Sequence, residues 1–377
     1  MRLESLHACK FRCFEELSLT FQQPVVLIEG CNGAGKTALL EAIYFACFLR
    51  SFRCHAAREL VAFGNTYLHI QLALRDSDNI MHDLSIASVG ARRTVKANGK
   101  VLRNHRELRA YATCVALTED DMLLVKGGPE IRRNFIDHYI YVHEPDFAPQ
   151  ISAYDQVVAH RNALLRRGSP NPAVIDIWTR KLWVQACAIA QKRRRYLERI
   201  NTAVSAVIQA HAIDASIQLQ YQAKKELGQS FESFWAEHGA ALAASEERVG
   251  HTLFGAHVDD IYIAFNGHAA RMFASRGQQK LIVLLLKVAQ TRELVALYGS
   301  CLFLLDDFML DFDEWRLDLL IALLEKLNCQ LFFTSAMAQE SVLRRKLDAF
   351  SPQLITLPSA SGALAQSCQT VKTSLLP

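Results

Sequence analysis

Gly30-Cys31-Asn32-Gly33-Ala34-Gly35-Lys36-Thr37 leaves this chain few folds to choose from. The segment satisfies G-x-x-x-x-G-K-[ST], and it lies between the apolar run Val25-Val26-Leu27-Ile28 and the helix-forming stretch Ala38 to Ala46. A run that is apolar at every position suits a strand buried on both faces of a sheet. Strand, glycine loop and helix are the context in which this motif cradles phosphate. The glycines let backbone N–H groups turn inward, and the helix N-terminus adds its dipole. Lys36 reaches the terminal phosphates, and Thr37 offers a hydroxyl to Mg²⁺. An α/β P-loop core follows, with Gly30 to Thr37 as candidate nucleotide-binding residues.

A phosphate loop requires an acidic partner, and Cys301-Leu302-Phe303-Leu304-Leu305-Asp306-Asp307 supplies one at the end of a second apolar strand. Asp306 is the expected Mg²⁺ partner of Thr37, and Asp307 is placed to orient or deprotonate an attacking water. The two half-sites lie 269 residues apart. Small P-loop kinases and GTPases place this acid much nearer, so an ATPase domain interrupted by a large insertion is expected.

The patterning agrees with an interruption. Leu17, Leu19 and Phe21 alternate with polar residues, Tyr67 to Arg75 and Ile80 to Ser88 read as neighbouring strands, and Asn98-Gly99 signals a hairpin. These imply an antiparallel sheet beside a parallel one. From about Ala148 to Ser245 helices dominate, and Gly168-Ser169-Pro170-Asn171-Pro172 separates two of them. Basic residues crowd this region, from Arg161, Arg166 and Arg167 to the run Lys192 to Arg195. Ile217, Leu219 and Tyr221 alternate as a strand, whereas Leu227, Phe231, Phe234, Trp235 and Leu242 share a helical face suited to an arm. Helix and strand alternate again after Thr252, with a helix from about Gln278 and strands at Leu302 to Leu305 and Gln330 to Phe333. The expected layout is residues 1–118 and 252–357 as a discontinuous lobe I, 119–251 as a helical lobe II, and 358–377 as a flexible tail.

At about 150 residues per domain, 377 residues allow two to three domains, and 51% hydrophobic residues supply their cores. The formal charge of +4 predicts no partner by itself. No apolar stretch approaches the roughly 18 residues that span a bilayer. Arg2, Glu4, Lys10 and Arg12 break up the N-terminus, unlike a secretory signal. The ten cysteines occur singly, without a C-x-x-C pair, and read as reduced thiols of a cytoplasmic protein.

Further landmarks narrow the reading. Phe11-Arg12, Gly30 to Thr37, Arg50-Ser51-Phe52-Arg53, Leu124 to Pro129 with Arg132-Arg133, Arg161 to Leu165, Gly255 to Asp260 and Ser275-Arg276-Gly277-Gln278-Gln279-Lys280 occur in order over nearly the whole chain. Together they resemble the ABC-type ATPases of DNA repair, and among them the bacterial recombination mediators of the RecF family. The resemblance implies an α/β ABC-type head, with a mixed-sheet lobe I and an inserted helical lobe II carrying a short arm. It also implies ATP and Mg²⁺ as cofactors, an ATP-driven homodimer on double-stranded DNA near single-strand gaps, and slow hydrolysis that releases it. The implied partners are RecR and RecO, in loading RecA for gap repair, replication restart and the SOS response. In that scheme Lys36, Asp306, Asp307 and Ser275 are catalytic, and Ser275, Gly277 and Gln278 close over nucleotide held by another copy. Arg50, Arg53, Lys126, Arg132 and Arg133 become candidate DNA contacts, by phosphate rather than base recognition.

The chain departs from the family pattern at Arg276, where glutamine is usual, at Ala256 and Val258 around His257, at Thr118 to Asp121, and at Phe308 to Asp313. His257 reads as a structural partner of Asp259, not as a catalytic group. Two other classes share the head. A chromosome-organising or nuclease-associated ATPase requires a longer coiled coil or a metal-rich nuclease domain, and a non-hydrolysing ATP-binding scaffold would recruit partners without turnover.

Overall fold

The computed structural model describes residues 1–54, 57–90, 92–167, 171–228, 230–308, 312–336, 340–358 and 372–375. Its chain divides into two compact units, Met1–Asp121 with Leu284–Pro377, and Met122–Val283.

The first unit opens with β1 (Arg2–Phe11), β2 (Phe14–Thr20), β3 (Val25–Gly30) and α1 (Lys36–Phe48). It continues through β4 (Tyr67–Arg75), β5 (Met81–Val89), β6 (Arg92–Ala97), β7 (Lys100–Val101), α2 (His105–Arg109) and β8 (Cys114–Thr118). The second unit holds α3 (Leu123–Lys126), α4 (Pro129–His143), α5 (Phe147–Arg166), α6 (Pro172–Ala210), β9 (Ile217–Gln222) and α7 (Phe231–Val249). After β10 (Asp260–Phe265), β11 (His268–Ala269) and α8 (Ala270–Phe273), helix α9 (Arg276–Tyr298) carries the chain back to the first unit. There β12 (Cys301–Asp306), α10 (Glu314–Glu325), β13 (Cys329–Ala336), α11 (Glu340–Leu347), β14 (Gln353–Thr356) and β15 (Lys372–Leu375) complete it.

Two six-stranded sheets organise the first unit. One is antiparallel, in the order β2-β1-β4-β5-β6-β7, and the other runs β15-β14-β3-β13-β12-β8. In the second sheet β14, β3, β13, β12 and β8 are parallel, and β15 alone is antiparallel. All six residues of β3 are buried, as expected for a strand covered on both faces. β4 and β5 instead alternate, with Leu68, Ile70, Leu72, Leu84 and Ile86 inward. The Asn98-Gly99 turn joins β6 to β7, both residues at positive φ as a tight hairpin requires.

The second unit is built on α6, whose 39 residues reach about 58 Å. Asn171 caps this helix by accepting from the Ala173 N–H at 3.0 Å, directly before Pro172. Of the loop read as the helix break, Gly168, Ser169 and Pro170 lie outside the described residues, as do Met309, Leu310 and Asp311 of the segment after Asp307. The landmark Arg161 is buried, donating to Glu246 at 2.6 Å and to Thr252 Oγ1 at 2.9 Å. It ties α5 to α7 from inside.

Two boundaries require correction. The chain leaves the second unit at 283/284 and not at 251/252. β10 forms an antiparallel ladder with β9 from Asp260↔Gln222 to Phe265↔Ile217, so residues after Thr252 stay with the inserted unit. Within the expected tail, Lys372–Leu375 is a strand paired with β14. That pairing satisfies backbone groups which an edge strand otherwise leaves to water.

Candidate nucleotide-binding site

The carboxyl edge of the parallel sheet collects the predicted chemistry. β13 lies between β3 and β12, with Thr334 opposite Ile28 on one side and Phe333 opposite Leu305 on the other. The loop after β3, the end of β13 and the carboxylates closing β12 therefore meet at one level. Open α/β sheets bind ligands at this edge.

Within the loop, Cys31, Asn32 and Gly33 are exposed, whereas Ala34 and Lys36 are buried. Gly35 has φ +97°, and a Cβ there would come within 2.7 Å of Phe14 Cζ and 2.8 Å of Cys13 Sγ. Both backbone hand and space thus require glycine. Lys36 turns its ammonium back on the loop, donating to Gly30 O at 3.0 Å and Cys31 O at 3.4 Å. Among the described residues this buried cation is met by carbonyl dipoles and no carboxylate, an arrangement suited to an incoming phosphate.

Thr37 Oγ1 donates to Asp306 Oδ1 at 3.0 Å. Two neighbouring ligands of an octahedral Mg²⁺, each about 2.1 Å from the metal, lie about 3.0 Å apart. The observed spacing fits a shared Mg²⁺ without rearrangement. Burial pushes the Asp306 carboxyl up from its ordinary pKa, and Asp307 adds to this by like-charge repulsion; hydrogen bonds from Thr37 and Thr334 and the charge of Arg53 act the other way. A cation would remove the penalty that burial imposes.

Thr334 is a residue the motif reading missed. Its hydroxyl accepts from the Asp307 N–H at 2.9 Å and donates to Asp306 Oδ1 at 3.0 Å. It thereby holds both acids while Asp307 sits at φ +47°, a conformation aspartate tolerates better than most residues. The available signal was positional: the strand beginning at Gln330 ends in a hydroxyl level with the P-loop. Glu41 was also missed. It is wholly buried, accepts both Arg12 Nε and Nη2 at 2.7 Å, and accepts from Ser51 Oγ. Ser51 Oγ in turn accepts the N–H groups of Arg53 at 2.8 Å and Cys54 at 3.0 Å. The landmarks Phe11-Arg12 and Arg50 to Arg53 are thus bound to one buried carboxylate on α1, which fixes the backbone carrying Arg53.

Residues 2–349 match the family model described as RecF/RecN/SMC N terminal domain. The chain is 32% identical over 350 residues to the DNA replication and repair protein RecF of Synechococcus sp. (strain JA-2-3B'a(2-13)), covering 86% of this chain and 89% of that protein. The chain belongs to the RecF family. The RecF of Geobacter sp. (strain M21) is 29% identical over 341 residues, covering 89% of this chain and 93% of its own. In fold, the chain is similar to a solved structure of the recombination mediator protein RecF-ATPrS in the RecFOR pathway, with a TM-score of 0.80, 24% identity, and coverage of 94% of this chain and 95% of that one. An Smc head bound to the C-winged helix domain of ScpA gives a TM-score of 0.56 at 14% identity, covering 99% and 98%. The ABC-type head expected from sequence is therefore the fold of this RecF-family protein.

The remaining candidates of this family member divide sharply. Ser275 caps α9: its Oγ accepts from the Gln278 N–H at 3.3 Å, and Gln278 Oε1 accepts from the Ser275 N–H at 2.8 Å. This reciprocal capping box belongs to the second unit, as does Gly277, and Ser275 and Arg276 are exposed there. Arg50 and Arg53 are exposed in the first unit, with the Arg50 guanidinium over the Phe48 ring. Lys126 is exposed at the end of α3.

Arg132 departs from expectation. Only 4% exposed, it forms a bidentate pair with Asp260 at 2.7 and 2.8 Å and donates to Gly127 O, so its guanidinium is committed to the interior of the second unit. Arg133 likewise donates to Asp259 O at 2.7 Å. The helix run Lys192 to Arg195 is neutralised by Glu144, Asp137 and Glu226. His257 pairs with the Tyr154 hydroxyl at 2.7 Å, while the expected partner Asp259 accepts from Tyr221 and from the Lys224 N–H.

Proposed function

We propose that this protein is an ATP-dependent recombination mediator: an ATP-driven homodimer that clamps double-stranded DNA near single-strand gaps and, with RecR and RecO, promotes RecA loading. The observation that carries the reading is the Thr37–Asp306 contact of 3.0 Å beside the buried Lys36. Mg²⁺, held by Thr37 and Asp306, would neutralise charge on the nucleotide phosphates. The amides of Gly30 to Lys36 bind phosphate oxygens, and Lys36 exchanges its carbonyl partners for the terminal phosphate. Asp307, aimed by Thr334, polarises the attacking water. Ser275, Gly277 and Gln278 of a second copy complete the site, with the Ser275 hydroxyl donating while its oxygen remains in the capping box. ATP then acts as differential glue: it favours the closed dimer, and slow hydrolysis releases it. Relatives named RecF support this role, and the similar solved structures of RecF with ATP and ATPrS in the RecFOR pathway support the use of ATP.

The test is the molar mass by light scattering of Asp307→Asn, with and without Mg-ATP, with Lys36→Met as control. Asparagine accepts positive φ, so the site keeps its shape while losing the water-polarising carboxylate. The expected result is an ATP-dependent doubling that the control lacks. A variant that binds ATP yet stays monomeric at every concentration, with or without DNA, overturns the clamp and leaves the non-hydrolysing scaffold.

A further inference from the structure

The first unit carries a concentration of charge to which the motifs assign nothing. Between Gly90 and Ala110 the chain has Arg92, Arg93, Lys96, Lys100, Arg103, Arg106 and Arg109 against the single acid Glu107. Arg92, Lys96, Lys100, Arg103 and Arg106 are exposed along β6, β7 and the start of α2. Among the described residues none of these five forms an ion pair. The contrast with Lys192 to Arg195 is physical: there carboxylates neutralise the run, here the field is left uncompensated. Glu107 is committed to capping α2, accepting from the Arg103 N–H and from Asn104 Nδ2, each at 2.9 Å.

The backbone organises this charge. Val95 and Ala97 point into the sheet, so Arg92 and Lys96 share the outer face, about 13 Å apart along the strand or roughly four base-pair steps of duplex. Arg93 turns the other way. It lies over the Phe45 ring and donates to Leu49 O at 2.5 Å, fastening the strand to the end of α1 beside Arg50. No Phe, Tyr or Trp occurs between Gly90 and Ala110, so this strip lacks the stacking platform that single strands require. Phosphates of a duplex remain as the partner matched in charge and spacing.

We propose that Arg92, Lys96, Lys100, Arg103 and Arg106 form a rail for the phosphate backbone of double-stranded DNA. The proposal rests on the DNA-binding reading above and moves the principal contacts from Arg132 and Arg133 to the edge of the antiparallel sheet. It reads no sequence, because the contacts are to phosphate alone.

The experiment is the affinity of the full chain for a short duplex in Mg-ATP, followed by fluorescence anisotropy as salt is raised. Wild type is compared with Lys96→Gln/Lys100→Gln/Arg103→Gln, and with Arg194→Gln, whose native side chain is already paired with Glu226. Each lost phosphate contact lowers the salt slope by about 0.9, so the triple variant should lose about 2.7 in slope. Between about 50 and 200 mM salt the wild type should then lose about 40-fold more affinity than the variant. Arg194→Gln should keep the wild-type slope, and the triple variant should keep its melting temperature and ATP-driven doubling. An unchanged slope in a variant that still binds duplex overturns the rail while leaving the DNA-binding reading intact. Wild-type protein that doubles with ATP but binds no duplex overturns both. A variant that keeps the DNA slope but loses binding to polyglutamate reassigns the strip to an acidic protein and also overturns the proposal.

Discussion

Thr334→Val removes one hydroxyl and almost no volume from the centre of the nucleotide site. Thr334 is 1% exposed, and no water can take over its contacts without displacing neighbours. Two interactions disappear together: the Asp307 N–H loses its acceptor at 2.9 Å, and Asp306 loses a donor at 3.0 Å. An unpaired buried N–H costs about 1–3 kcal/mol, and a hydrogen bond to a charged group contributes about 1.5–3 kcal/mol. Much of the second value returns when Mg²⁺ binds Asp306, so ATP affinity should change only a few-fold. The first acts on Asp307, whose positive φ depends on that anchor. A loss of about 1–3 kcal/mol of positioning corresponds to roughly a 5- to 150-fold fall in kcat. The pH profile separates this from a loss of stability. Burial already raises the Asp306 pKa and the Thr334 hydrogen bond opposes it, so Val should move the acidic limb of activity to higher pH. Steady-state phosphate release across pH, beside nucleotide affinity by calorimetry, reads both effects, and Thr334→Ser should restore them. Wild-type kcat and an unmoved acidic limb in Thr334→Val would refute the assignment.

Other consequences are equally direct. Gly35→Ala places a methyl within 2.7 Å of Phe14 at a φ of +97°, and should cost at least about 1–3 kcal/mol with loss of ATP binding, seen as a lower melting point that ATP no longer raises. Arg161→Met strands buried Glu246 and should destabilise the second unit by about 3–5 kcal/mol in denaturant titration, whereas adding Glu246→Leu should recover much of the loss. His257, pushed down to about 4 by burial and by Arg133, Arg161 and Arg193, is neutral in the folded protein at pH 7. The unfolded chain binds the extra proton between about pH 6.5 and 4, so stability should fall across that window as pH is lowered, by about 3 kcal/mol in full. Chemical denaturation at several pH values checks this, and His257→Gln should flatten the slope.

Much of the site was legible because its parts are local. A phosphate loop is one continuous turn, so Gly30 to Thr37 declare it without help from the rest of the chain. Asp306 was legible because an apolar strand ending in carboxylates is also a local pattern, and the P-loop demands such a partner. Thr334 and Glu41 were not legible. Their roles arise from parallel registry and from a buried side chain on α1, and neither leaves a mark in neighbouring residues. The arginines show the same limit from the other side. Arg132 and the run Lys192 to Arg195 look like a nucleic-acid face in sequence, yet their carboxylates lie as far away as Asp260, which is 128 residues along the chain from Arg132.

What the sequence determined alone was therefore the class of the core, the phosphate-loop motif and the acidic partner that meets it, the antiparallel strands, and the presence of a helical insertion. Each is a short-range pattern of apolar periodicity or backbone requirement. What only the tertiary structure decided was where the insertion ends, which hydroxyl holds the two aspartates, and which cations remain unpaired. Those depend on β10 choosing β9, on β13 lying between β3 and β12, and on which distant carboxylates reach which arginines. Charge neutralisation and strand pairing are set by distance in space, and sequence separation does not record it.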